Sequence, residues 1–121
     1  MRDRAKITAG DVLLIESTYG DHRHRSLPAT LDELVSLIDT TIHQRRGNVI
    51  IPAFAVGRTQ ELISLLVGEA RRGRVHDVDV YIDSPLAARA TTITLAHDGL
   101  LDEESRANLR YAFDERHNKK Q

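Results

Sequence analysis

Three short apolar runs, set apart by stretches of helical period, constrain this chain more than anything else in it. Residues 11–16 read DVLLIE, residues 48–52 read NVIIP and residues 77–83 read DVDVYID. The first two are nearly continuous apolar runs, the pattern of a strand buried on both faces in a parallel sheet. The third alternates, as a half-buried strand does. Between the first two, Leu27, Leu31, Leu34, Val35, Ile38 and Ile42 recur at helical spacing. Pro28 suits a first helical turn, and Arg45, Arg46 and Gly47 suit a last one. A second helix is predicted from Arg58 to Arg72, with Leu62, Leu65, Leu66 and Ala70 inward and Gly73 as its stop. Ser84-Pro85 opens a third, running to about His97, and Asp102 caps a fourth, running to about Phe113. The order β-α-β-α-β-α-α predicts an α/β fold. It would be a small, mainly parallel sheet with flanking helices, a Rossmann-like three-layer fragment whose sheet edges need covering or pairing.

Composition narrows the function classes. The chain has 121 residues, enough for one domain. Seventeen basic residues against eighteen acidic ones leave a net charge of −1, which excludes nucleic-acid binding by bulk charge alone. There is no cysteine, hence no disulfide framework and no thiolate zinc site. No apolar run reaches the ~20 residues of a membrane span. The Met1-Arg2-Asp3-Arg4 start leads into no signal-peptide core. No membrane and a cytoplasmic setting are therefore expected. Aromatic residues are only 4%, which argues against an extended base-stacking surface.

Ligands of open parallel sheets bind beyond the carboxyl ends of the strands. All three predicted tips are polar: Glu16-Ser17-Thr18-Tyr19-Gly20-Asp21, then Pro52-Ala53-Phe54 leading to Gly57-Arg58, then Asp83-Ser84. Gly57, Arg58 and Ser84 are the phosphate-binding candidates, because a helix N-terminus and a guanidinium fork both favour anions. Arg58 as a solvated first-turn charge is the competing reading. Glu16, expected at the rim of the core, needs a partner, and a plain structural hydrogen bond would satisfy it. His22 and His24 could hold a metal in an extended segment, but zinc needs three or four ligands and no second histidine pair follows. His43, His76, His97 and His117 read as single surface or helix-end histidines. No metal site is expected in this chain. There is no Walker loop, no GxGxxG, no GxSxG and no CxxC.

Two longer stretches together are specific. Residues 14–21, LIESTYGD, resemble the ESTYG segment of the β-CASP nucleases, and residues 51–62, IPAFAVGRTQEL, resemble the same family's IPAFAxGRxQEL segment. Residues 81–87, YIDSPLA, match a third landmark, a strand followed by a D-S-P-L-A helix start. The order and separation are family-like. The family consists of metallo-β-lactamase-fold enzymes such as the polyadenylation endonuclease and RNase J, which cut mainly RNA and in some members DNA. The resemblance implies that Glu16 is the acidic motif A residue, supporting the site through a histidine in an intact enzyme. It also implies two zinc ions in intact members. Their HxHxDH signature and later histidine motifs are absent from this sequence. The expected organisation is the end of a metallo-β-lactamase segment over residues 1–20, a partial β-CASP domain over 21–114 and a polar tail over 115–121. Alone, such a chain is expected to act as a substrate clamp or cleft lid without catalysis, with RNA, and a metallo-β-lactamase domain supplied in trans, as partners. The alternatives are a stand-alone Rossmann-like module binding a nucleotide or phosphorylated ligand, and a non-functional remnant.

Overall fold

A computed structural model describes residues 6–114. The polar tail expected over 115–121 lies outside them. Helix α1 runs Leu27–Ile38, with Ser26 at its cap accepting from the Ala29 amide and proline in its first turn. It continues as a π-helical stretch, Asp39–Gln44. Helix α2 is Arg58–Arg71, α3 is Pro85–Ala96 and α4 is Glu103–Ala112. A single 3₁₀ turn, Asp98–Leu100, joins the last two. The third and fourth helices start at the caps that their sequence announces. The Ser84 hydroxyl accepts from the Ala87 amide at 3.1 Å, and Asp102 accepts from the Ser105 amide at 2.8 Å. Gly73, at φ 73, provides the left-handed stop after α2.

The α/β sheet is corrected. Among the described residues there is no strand, and the molecule is helical with irregular connections. The three apolar runs are irregular and form no ladder. Leu14 is 93% exposed and Ile50 88%. A strand-like pattern describes one segment, whereas a ladder needs two segments about 4.8 Å apart in register. Residues 48–53 and 77–84 instead line one open cleft of about 930 Å³. The cost is a large apolar surface left in water, which a sheet would have covered.

What holds the helices together is mostly α2 against α4. The buried apolar residues are Ile38, Ile63, Val75, Ala87 and Leu109. The buried stripe of α2 is rotated from the expected leucine face: Gln60, Ile63, Ser64, Gly68 and Glu69 go inside, while Ala70 is exposed. The reason is polar cross-linking by α4. Asn108 donates to the Ser64 carbonyl at 3.1 Å and accepts from Arg71 at 2.8 Å. Gly68 makes room for it, since a Cβ there would stand 3.1 Å from the Asn108 amide nitrogen. The Arg71 guanidinium also lies over the Tyr111 ring, 5.8 Å from its centroid.

Glu69 is the buried charge of this layer, 2% exposed. Arg72 donates to its Oε1 at 2.9 Å, and Arg74 forms an ion pair with Oε2 at 3.0 Å, off the hydrogen-bonding direction. Arg74 also pairs with Asp32, tying α1 to the end of α2. Both arginines remain partly in water, so the neutral variant Glu69→Gln should cost about 1.5–3 kcal/mol rather than the full penalty of a stranded buried charge. Glu104→Gln, which removes only an exposed partner of Arg72, should cost under about 1 kcal/mol. Urea denaturation of the two variants side by side checks the difference.

Candidate functional site

The sequence around the second tip builds a tight, well-bonded turn. Gly57 sits at φ 82, a conformation that glycine adopts without strain. The Thr59 amide and hydroxyl both donate to the Phe54 carbonyl, at 3.2 and 2.8 Å. The Arg58 amide donates to the Val56 carbonyl at 3.1 Å. Gln60 closes the turn from inside. Its Oε1 accepts from the Gly57 amide at 2.7 Å, and its Nε2 donates to the Ala55 carbonyl and to the Thr91 hydroxyl, at 3.1 and 2.9 Å. The turn is thereby fixed to α3. Its exposed groups include the Arg58 guanidinium, the Val56 side chain and the Phe54 ring, the last 84% exposed.

The candidates fare differently. The first-turn amides of Arg58 and Thr59 already have carbonyl partners, so an anion at this helix head would meet the Arg58 side chain rather than those N–H groups. That side chain pairs with Glu61 at 2.7 Å, an exposed bridge that a phosphate can displace. The oxygen of Ser84 caps α3, while its hydroxyl hydrogen can still donate. Ser84 and Asp83 line the open cleft together with Pro52, Ala53 and Thr59, so the second and third tips share one space. Glu16 is not among the cleft residues.

Glu16 is exposed, not at the rim of a core. Hydrogen bonds from Thr18, its hydroxyl first and its backbone amide second, hold the Glu16 carboxyl below the usual carboxylate range. The amide bond is 2.7 Å. A depressed carboxylate steadies its turn above its ordinary pKa, and this is lost as pH falls through the lowered value. The next turn is closed by Gly20 donating to the Ser17 carbonyl at 2.8 Å, with Tyr19 left-handed at φ 58.

Among the described residues, one group of three has ligating atoms close enough for a metal ion, and it contains none of Glu16, His22 and His24. His22 instead faces Asp21 at 3.5 Å. The surroundings of Glu16 therefore do not fit a two-zinc centre. Two histidines that read as isolated are not: the His43 and His76 rings stack with centroids 4.7 Å apart. Their separation of 33 positions hides this from any spacing rule. Gln60 was legible in principle, as a glutamine three positions after a helix cap. Phe54 carried no signal beyond its place in the turn.

No protein-family model matches the chain, and no solved structure matches it. Curated proteins do. The chain is 37% identical over 83 residues to ribonuclease TTHA0252 of Thermus thermophilus, covering 69% of this chain and 19% of that protein. It is 39% identical over 89 residues to an RNase J-like protein of Methanocaldococcus jannaschii, covering 72% and 21%. It is 31% identical over 101 residues to cleavage and polyadenylation specificity factor 73 of Drosophila melanogaster, covering 82% and 14%. The chain thus spans about a fifth or less of the length of these relatives.

Proposed function

We infer, from the premise that this chain belongs to the β-CASP metallo-β-lactamase family of RNA-processing nucleases, that it is the part of such an enzyme that grips the RNA strand, and that alone it holds RNA without cutting it. The whole enzyme would hydrolyse a phosphodiester with metal ions held elsewhere, in a cytoplasmic setting. In two-metal hydrolysis the ions supply hydroxide and brace the scissile phosphate. This chain's residues would do the holding.

The observation that carries this reading is the fixed turn at residues 54–60. It offers an exposed cation and an exposed aromatic ring, four positions apart in sequence, on a support that Gln60 makes rigid. A phosphate displaces Glu61 from Arg58 and takes the guanidinium fork, and a base lies on Phe54. Ser84 lines the cleft, which Arg58 and Phe54 do not, and its hydroxyl hydrogen is available to a different phosphate of the same strand. Glu16 belongs to a different task, positioning a histidine of the metal-holding part in a complete enzyme. That part, whether joined to this chain or supplied in trans, and the acceptance of DNA beside RNA belong to the same proposal.

Fluorescence anisotropy with a single-stranded RNA oligonucleotide tests it. Affinity should fall with salt, and Arg58→Ala should reduce the slope of log K against log salt by about 0.7, one single-strand phosphate. Phe54→Ala should weaken binding at every salt by about 1–3 kcal/mol. Salt-independent binding, or oligonucleotide hydrolysis by the pure chain that a chelator abolishes, would overturn the reading.

A further inference from the structure

We propose that Asp39, His43 and His76 form a binding site for a single zinc-class divalent ion that ties the end of the first helix to the chain entering the cleft. The ligating atoms of the three residues all lie within 4.8 Å of one another. Asp39 and His43 are four positions apart on the π-helical stretch, so one element carries two of the ligands. His76 arrives from the segment after α2 and stacks on His43 at an interplanar angle of 22°. Two imidazoles and a carboxylate are a donor set of borderline softness, suited to zinc, with water completing four-coordination.

The surroundings favour it. The Nδ1 of His76 faces the Asp77 carboxylate at 3.4 Å, which leaves Nε2 to take the ion, the usual arrangement of an oriented metal-binding histidine. Gln44 donates to Asp39 Oδ2 at 3.1 Å and so steadies the carboxylate. Asp77 is left-handed at φ 51, which turns the chain sharply just after His76. Zinc–nitrogen bonds of about 2.0–2.1 Å put tetrahedral ligands roughly 3.4 Å apart. The three side chains must therefore close in by about an ångström. His76, with 62% of its side chain exposed, is free to make that rotation. Ile38, Ile42 and Asp77, which flank the ligands in sequence, line the cleft. An ion here would fix one end of that cleft. The site does not depend on the RNA reading, since none of its residues belongs to the turn at 54–60.

The test uses the whole 121-residue chain, stripped of metal and titrated with zinc by calorimetry and with cobalt by visible absorption. One ion per chain is expected, with cobalt bands of four-coordinate intensity and a rise in Tm that grows with zinc concentration. Loss of an outer partner of a metal ligand costs about 10–100-fold in affinity, so His43→Ala and His76→Gln should each cost at least that. The triple variant His22→Ala, His24→Ala, His97→Ala should bind as the parent does. His76→Gln keeps an exposed polar side chain, and its circular dichroism should match the parent's, which separates lost binding from lost folding. No binding at millimolar zinc, or binding that His43→Ala and His76→Gln leave unchanged, would overturn the site.

Discussion

Leu109→Ala should lower the unfolding free energy by about 2–5 kcal/mol, and this chain has little to lose. Leu109 is 2% exposed on α4, the helix that packs most closely on α2. Truncation removes its transfer energy and leaves a cavity beside helices whose spacing is fixed by polar cross-links, so the site cannot collapse freely. Among the described residues the other buried apolar side chains are few, and no sheet stands behind them to share the loss. Denaturation in urea should show the midpoint moving to much lower concentration, or no cooperative transition at all. Leu100→Ala is the control. That residue is 72% exposed on the 3₁₀ turn, and its loss should stay within about 0.5 kcal/mol. Equal effects of the two substitutions would mean that α2 and α4 do not pack as described.

Gln60→Leu should cost about 3 kcal/mol. The side chain is 5% exposed and makes one acceptor and three donor bonds, to Gly57 and Ala55 of its own turn and to Ala87 and Thr91 of α3. Leucine is similar in bulk but can make none of them, so the Gly57 amide and the Ala55 carbonyl lose their partner in a half-buried turn. Each stranded group costs about 1–3 kcal/mol. For a chain of this size that amounts to a fall in Tm of roughly 10–20 °C. Hydrogen exchange should place the loss: the amides of Gly57 and Thr59 should open first, before those of α4. A Tm unchanged from the parent would show that Gln60 is not the bolt between this turn and α3.

The four helices could be read from the sequence because each has a chemical mark at one end, a capped start for three of them and a glycine stop for α2. Ser26, Ser84 and Asp102 are side-chain acceptors at starts, prolines follow two of them, and Gly73 ends a helix. Such signals act within a turn of chain and need no distant partner. The sheet could not be read safely, because the pattern VLLI or NVII reports only that a segment would suit burial. Here those segments find no ladder partner, and their side chains stay in water. The inward face of α2 was misjudged for a related reason. Leucine spacing marks an apolar stripe, yet α4 arrives on the side where Ser64 and Gly68 let Asn108 approach. The π-helical widening after Ile38 has no sequence mark. Of the candidate residues, Arg58 and Gly57 stand where the motif put them, at the head of α2. Ser84 is legible as a cap. The meeting of His43 with His76 depends wholly on tertiary placement.

The bare runs at residues 11–16 and 48–52 have a practical consequence. An exposed apolar segment outside any ladder is a template for another molecule of its own kind. Such encounters grow with the square of protein concentration, whereas intramolecular packing does not depend on it. Recovery from denaturant should therefore be best in dilute solution. The acidic residues that punctuate the third run, Asp77, Asp79 and Asp83, make that segment the least prone of the three to clump, since like charges brought into register repel.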